Sequence, residues 1–389
     1  MNKIEQRTAL SLSSIYALRM FGLFLILPVF ALHSHEFKFA TSSLVGIALG
    51  IYGLTQACLQ IPMGLLSDRV GRKTVIIAGF LLFCIGSLIA ASAETIYGVI
   101  LGRALQGAGA VASTLMALAA DLTREEQRSK INALIGGGIV LAFALALVSA
   151  PVLHAYIALS GIFWLSALLA PLAILIVIYG VPKVPDQGKT SIAEQWQGNR
   201  IKDALSNKEL LRLYFGVFAL HAAMATNFVI LPQAIINRLD LASAEHWIFY
   251  LLILLGSVSL MWPALKWGEK NKRVREVFLG AIFLLMLSQL CWYLSSSGAT
   301  LFIFMLLFFT AFNYLEANLP ALLSRKCHPS ARGSCMGVFS TAQFLGIFVG
   351  ASSGGFLLGW QGASIIIPSA LMLFVWFLCA FSMKAGNTR

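Results

Sequence analysis

The chain is built from apolar runs of about twenty residues, the length an α-helix needs to cross the hydrocarbon core of a bilayer. Twelve can be marked, at 9–32, 42–65, 74–93, 96–120, 131–155, 160–181, 210–234, 247–266, 274–296, 300–323, 333–358 and 363–383. Hydrophobic residues fill 59% of the 389 positions and charged ones 11%, against about a quarter charged in a soluble domain. A water-soluble globule is excluded on that balance. The runs lack the two-residue alternation of barrel strands, and in lipid every backbone N–H and C=O must find a partner, so each run is predicted as a helix. The expected fold class is an all-α membrane protein of twelve transmembrane helices.

The first run follows a polar start with Lys3, Glu5 and Arg7, is too long for a signal-peptide core and has no small-residue cleavage pattern, so no removal is expected. With the N-terminus inside, Lys38 and Arg238 are the bases expected outside and Arg19 and Arg103 lie within runs. The rest of the 28 lysines and arginines collect on the cytoplasmic side. Both termini are expected there. The net charge of +12 then reports topology and attraction to lipid headgroups, and nucleic acid is not an expected partner. Six scattered cysteines without a C-x-x-C pair give no reason to expect disulfides or zinc, and no metal site is assigned.

The longest polar stretch divides the chain into an N-terminal six-helix bundle (1–182), a cytoplasmic linker (183–209) and a C-terminal six-helix bundle (210–389). An internal repeat supports the division. Shifting by 201 positions puts Pro62 on Pro263, Asp68 on Glu269, Arg69 on Lys270 and Arg72 on Arg273.

Between the second and third runs the chain reads GLLSDRVGRKTV, Gly64 to Val75. Asp68 precedes Arg72 by four residues, Arg69 and Lys73 add positive charge, and Gly64 and Gly71 are expected to let the backbone turn between two helix ends. This segment resembles the loop between helices 2 and 3 of the major facilitator superfamily, G-x-L-x-D-R-x-G-R-[KR]. On the fourth run LGRALQGAGA sets Arg103, Gln106, Gly107, Gly109 and Ala110 in a pattern similar to the superfamily's R-x-x-Q-G-x-G-A. The resemblance implies two pseudo-symmetric bundles with a substrate cavity between them. It also implies an Arg103 tied to proton coupling and to holding helix 1. An acid ending helix 4, Asp121, would meet the hinge arginine, so Asp68, Arg72 and Asp121 would form a cytoplasmic gate of surface-like ion pairs worth ~1 kcal/mol each.

On the fifth run ALVSAPVLHA keeps Pro151 of the drug:proton antiporter pattern G-x-x-x-G-P-x-x-G-G. It has Ala146 and Ala150 for glycines and His154 and Ala155 for the final pair. Longer stretches, among them SLSSIYALRMFGLFLILPVF and FNYLEANLPALLS followed by GVFSTAQFLG, are similar to the YajR-type inner-membrane transporters of that branch. Members can carry a soluble C-terminal domain; this chain reaches Arg389 just after the twelfth run, so none is expected.

Helices 1, 4, 7 and 10, which line the cavity in that fold, each carry an ionisable group: Arg19, Arg103, His221 and Glu316. Charge inside a span is costly, about 2.5–3.5 kcal/mol for an arginine on insertion scales, so such groups are expected to face water, substrate or a partner. Glu316 is the carboxylate deepest within a run, with Asn313 one turn earlier, and is a candidate proton carrier. A permanent structural pair with Arg19 is the alternative. Arg103 can equally be read as a donor to backbone carbonyls of its neighbour, and His221 as a packing residue. Tyr16, Gln56, Gln60, Asn227 and Gln343 are candidate substrate contacts, or simple helix-to-helix hydrogen bonds.

The expected function is proton-coupled export of a small amphipathic organic compound by alternating access, from a monomer in the bacterial inner membrane. The partners are substrate, protons and membrane lipid. Nutrient uptake by symport and a non-transporting membrane sensor are the alternatives. No clustered nucleophile and base and no Walker-type pattern occur, so no enzyme activity and no cofactor are expected.

Overall fold

The computed structural model describes residues 1–182, 204–294, 297–327, 331–361 and 366–382, and every long element among them is a helix. Most of the predicted linker, residues 183–203, lies outside the described residues, as do the edges of the runs 274–296 and 363–383. The helices are α1 (Lys3–Phe24), α2 (Phe30–His33), α3 (Ser42–Val70), α4 (Arg72–Ala91), α5 (Ile96–Ala108), α6 (Ala112–Asp121), α7 (Glu125–Leu175), α8 (Lys208–Leu239), α9 (His246–Lys270), α10 (Val274–Leu294), α11 (Gly298–Lys326), α12 (Arg332–Gln361) and α13 (Ile366–Phe381). Among the described residues, nine stretches are long and apolar enough to cross a membrane. One of them, Glu125–Gly180, has 56 residues and would run about 80 Å if straight, more than twice a bilayer core. It is interrupted at Ala158, where φ is 55 and ψ −176. Its two limbs hold the runs 131–155 and 160–181, and α1 and α13 complete the twelve.

Three boundaries differ from the sequence reading, each for a local reason. The first run breaks after α1, before α2, around Pro28, which lacks the N–H a continuing helix needs. The fourth run splits into α5 and α6 across Gly109–Val111. The hinge is shorter than expected. Gly64 lies inside α3, which runs on to Val70, so the whole turn into α4 falls on Gly71, with φ 98. A side chain would strain that conformation.

The chain forms two compact units, Met1–Ala40 with Ile47–Gln197 and Thr41–Gly46 with Gly198–Arg389. Each is held by close helix contacts at small residues, as expected where lipid gives no hydrophobic drive for helices to associate. In the first unit a side chain on Gly86 would meet the Gly102 carbonyl at 2.5 Å. In the second, side chains on Gly346 and Gly350 of α12 would meet the carbonyls of Phe218 and Ala222 of α8 at 2.3 and 2.1 Å. The internal repeat also appears in the backbone. Lys272, the counterpart of Gly71, has φ 57 in the turn between α9 and α10.

Candidate functional site

The hinge cluster lies wholly in the first unit. Arg72 opens α4 and pairs with Asp68 one turn back on α3, while its Nε donates to Oδ2 of Asp121, at the end of α6, at 3.0 Å. Its Nη1 also donates to Ser67 Oγ at 2.7 Å, and that hydroxyl donates to the Gly64 carbonyl at 2.6 Å. The three charged side chains are 7%, 9% and 3% exposed for Arg72, Asp68 and Asp121. These are desolvated pairs, in place of the surface-like ones expected: the turn at Gly71 folds Arg72 back between two helix ends, where water is displaced. Lys73 Nζ donates to the Val181 carbonyl at 2.6 Å, tying α4 to the chain leaving α7. Arg69 is exposed. In the second unit the repeat is incomplete: Arg273 lies over the Trp267 ring, 5.9 Å from its centroid.

Two arginines are buried among amides and carbonyls of the same unit. Arg103 on α5 reaches α3, with Nε on the Ala48 carbonyl at 3.3 Å and Nη2 on the Leu49 carbonyl at 3.4 Å. Its Nη1 donates to Gln106 Oε1 at 2.9 Å, Gln106 Nε2 donates to Ser87 Oγ at 2.8 Å, and Ser87 donates to the Phe83 carbonyl at 2.7 Å. The guanidinium sits 5.2 Å from the centroid of Tyr52, a cation–π distance. The family resemblance implies a hold on helix 1, whereas these bonds go to helix 2, because Arg103 projects from the α5 face packed on α3.

Arg19 on α1 donates through Nη2 to Gln56 Oε1 at 2.7 Å and to the Gly109 carbonyl at 3.0 Å. That carbonyl lies at the break between α5 and α6, so the helix interruption frees an acceptor for the arginine. Gln56 Nε2 donates in turn to Gln60 Oε1 at 3.3 Å, and Tyr16 OH donates to the Ala112 carbonyl at 2.6 Å. Arg19 is 1% exposed, yet its Nε and Nη1 find no hydrogen-bond partner among the described residues. Among the described residues of the first unit, no carboxylate pairs with it.

In the second unit His221 on α8, Glu316 on α11 and Gln343 on α12 converge. His221 Nε2 lies 3.6 Å from Glu316 Oε2. Gln343 Nε2 is 2.8 Å from His221 Nε2 and 3.4 Å from Glu316 Oε1, so one amide spans both titratable groups. His221 Nδ1 lies 3.1 Å from the Val217 carbonyl, which selects the tautomer protonated at Nδ1 and leaves Nε2 as the acceptor. The imidazole is buried while the Glu316 side chain is 38% exposed. Asn313, on the same helix, turns away to donate to Ser257 Oγ at 3.0 Å, and Asn227 accepts from Gln289 at 2.8 Å. These two candidates therefore meet neighbouring helices. Ser67, Ser87 and Tyr52 are participants that sequence reasoning missed. Ser67 stands inside the hinge motif and was the most legible of them.

Known proteins resemble the chain over nearly all of its length. The family model described as Major Facilitator Superfamily matches residues 12–351. The inner membrane transport protein YajR of Escherichia coli (strain K12) is 38% identical over 382 residues, covering 98% of this chain and 84% of that protein. The multidrug resistance protein MdtH of Proteus mirabilis (strain HI4320) is 26% identical over 387 residues, covering 95% and 92%. Among solved structures, a mutant of the nucleoside transporter NupG superposes with a TM-score of 0.74 at 14% identity, over 97% of this chain and 100% of that one.

Proposed function

The chain belongs to the major facilitator superfamily, and on that footing we propose that this multi-pass membrane transporter exports a small amphipathic organic compound in exchange for protons by alternating access. The observation that carries the reading is the His221–Gln343–Glu316 constellation. A carboxylate and an imidazole 3.6 Å apart, bridged by one amide, can hold one proton or two, and the second proton changes the charge of the cluster by one unit. Such a change alters which partners the cluster prefers, and so biases a two-state carrier. Arg19, with two buried donors open, is assigned to the substrate or to a charge that replaces it during the cycle. The hinge cluster of Asp68, Arg72 and Asp121 is assigned to holding one state of the cytoplasmic side. The similarity to MdtH supports an organic drug-like substrate, and the similarity to YajR supports an inner-membrane location.

The test is a screen of chemically diverse toxic compounds in everted vesicles carrying a pH dye, with no preset gradient. An exporter that takes protons in exchange moves substrate into the lumen and protons out, so the lumen becomes alkaline. A symporter gives the opposite sign, and a sensor gives ligand binding without flux. Glu316→Gln is expected to abolish the proton signal while leaving substrate binding measurable. An unchanged proton-to-substrate ratio in that variant overturns the coupling assignment.

A further inference from the structure

We propose that His33, Glu36 and His154 form a binding site for one divalent transition-metal ion, of the zinc class, in the first unit. The three residues come from two places in the chain. His33 ends α2, Glu36 ends the 3₁₀ turn Ser34–Glu36 that follows it, and His154 sits on the first limb of α7. One ligand atom from each falls within a sphere where all lie within 4.8 Å of one another. His154 Nε2 is 3.5 Å and His33 Nδ1 3.9 Å from the same carboxylate oxygen of Glu36. A tetrahedral ion with legs of about 2.0–2.2 Å sets its ligand atoms about 3.3 Å apart, so the two histidine-to-glutamate distances need to close by about 0.2 and about 0.6 Å, and the two histidine nitrogens must settle at the same spacing. Glu36, 39% exposed, has room to make that adjustment; the histidines are 16% and 11% exposed.

The ring stacking marks the two histidines as a neutral pair, and one ring must turn out of the stack for both nitrogens to reach a single ion. The His33 and His154 rings stack with centroids 3.6 Å apart and planes 26° apart. Two imidazolium ions in that arrangement repel strongly, whereas neutral imidazoles stack readily and neutral imidazole is the metal-binding form. Two histidines and one carboxylate suit zinc, nickel or cobalt better than calcium or magnesium, which take oxygen ligands. With three protein ligands the fourth position is left to water. His35 is adjacent in sequence, but its Nδ1 lies 3.1 Å from the Leu32 carbonyl and its ring centroid 6.2 Å from that of His33, so it is not assigned as a ligand. By the orientation read from the sequence, the site lies at the outer end of the first unit. There a bound ion would clamp the turn after α1 to α7 beside the interruption at Ala158.

The full chain in detergent tests this directly, with Co2+ followed by its visible absorption and Zn2+ by competition against a fluorescent chelator. One ion per chain is expected, with Zn2+ raising the melting temperature and EDTA reversing the rise. His33→Ala, His154→Ala and Glu36→Gln are each expected to weaken binding at least about tenfold. His35→Ala and a variant with all six cysteines replaced by serine are expected to bind as the parent does. Glu36→Gln, on a partly exposed side chain, guards against loss of folding in the histidine variants. The proposal is overturned if the parent takes up no ion at stoichiometric concentration, if Glu36→Gln and the folded histidine variants bind as tightly as the parent, or if binding disappears with the cysteines.

Discussion

Arg72 and Asp121, 49 residues apart, are joined by a 3.0 Å bond from Nε to Oδ2 with both side chains more than nine-tenths buried. Removing one member of a desolvated pair leaves an uncompensated charge, which costs about 3–5 kcal/mol. Asp121→Ala is expected near the lower end, since Asp68 remains beside Arg72. Replacing Arg72 and Asp121 together by apolar residues removes the cation beside buried Asp68 as well, so the double variant should be less stable than Asp121→Ala, which keeps the Arg72–Asp68 pair. Denaturation of the purified variants ranks them, and a double variant more stable than Asp121→Ala would contradict the shared pairing.

The two turns of the internal repeat predict substitutions of opposite sign. Gly71 holds φ 98 and Lys272 holds φ 57. Gly71→Ala forces a side chain into a glycine conformation and should cost about 1–3 kcal/mol. Lys272→Gly relieves the same strain and should stabilise by up to about 1 kcal/mol. Paired melting curves test the contrast.

Arg103 donates to two α3 carbonyls and to Gln106 at once. Lysine keeps the charge but lacks the planar fork, so Arg103→Lys should destabilise by about 2 kcal/mol and lose much of the transport rate. If Arg103→Lys transports and melts like the parent, the fork geometry is not what the site needs.

Glu5 caps α1 through reciprocal bonds with Asn2 and meets Arg124 at 2.9 Å. The Arg124 hydrogen bond, followed by the Asn2 amide, holds its carboxyl at about 2, below its ordinary 4.5. A depressed folded value means the stabilisation is complete above the unfolded value and is lost as pH falls through the folded one. The gap in melting temperature between the parent and Glu5→Gln should stay constant from pH 7 to 5. It should narrow only below about 4.5, closing toward pH 2. A gap that shrinks already between pH 7 and 5 would rule out this pair as its origin.

Much of the helical frame was legible along the chain because lipid leaves the backbone so few options: run length alone marks a span. The breaks were harder to place. Pro28 carries a local signal, but the split at Gly109–Val111 depends on the Gly79 carbonyl, which a side chain on Gly109 would meet at 2.2 Å. Likewise Asp68, Arg72 and Asp121 were foreseeable as a set, yet their burial was not, since it follows from α3 continuing to Val70.

Length, apolarity and the placement of lysine and arginine were enough to establish a twelve-helix membrane chain with a charged hinge. Which face each helix turns to its neighbour was not written there. Helices that are apolar nearly all round carry no polar stripe to orient them, so rotation is set by small-residue contacts and buried polar bonds that packing alone reveals. Packing sends Arg103 to α3, brings His221 within reach of Glu316, and carries His154 to Glu36 across 118 residues of chain.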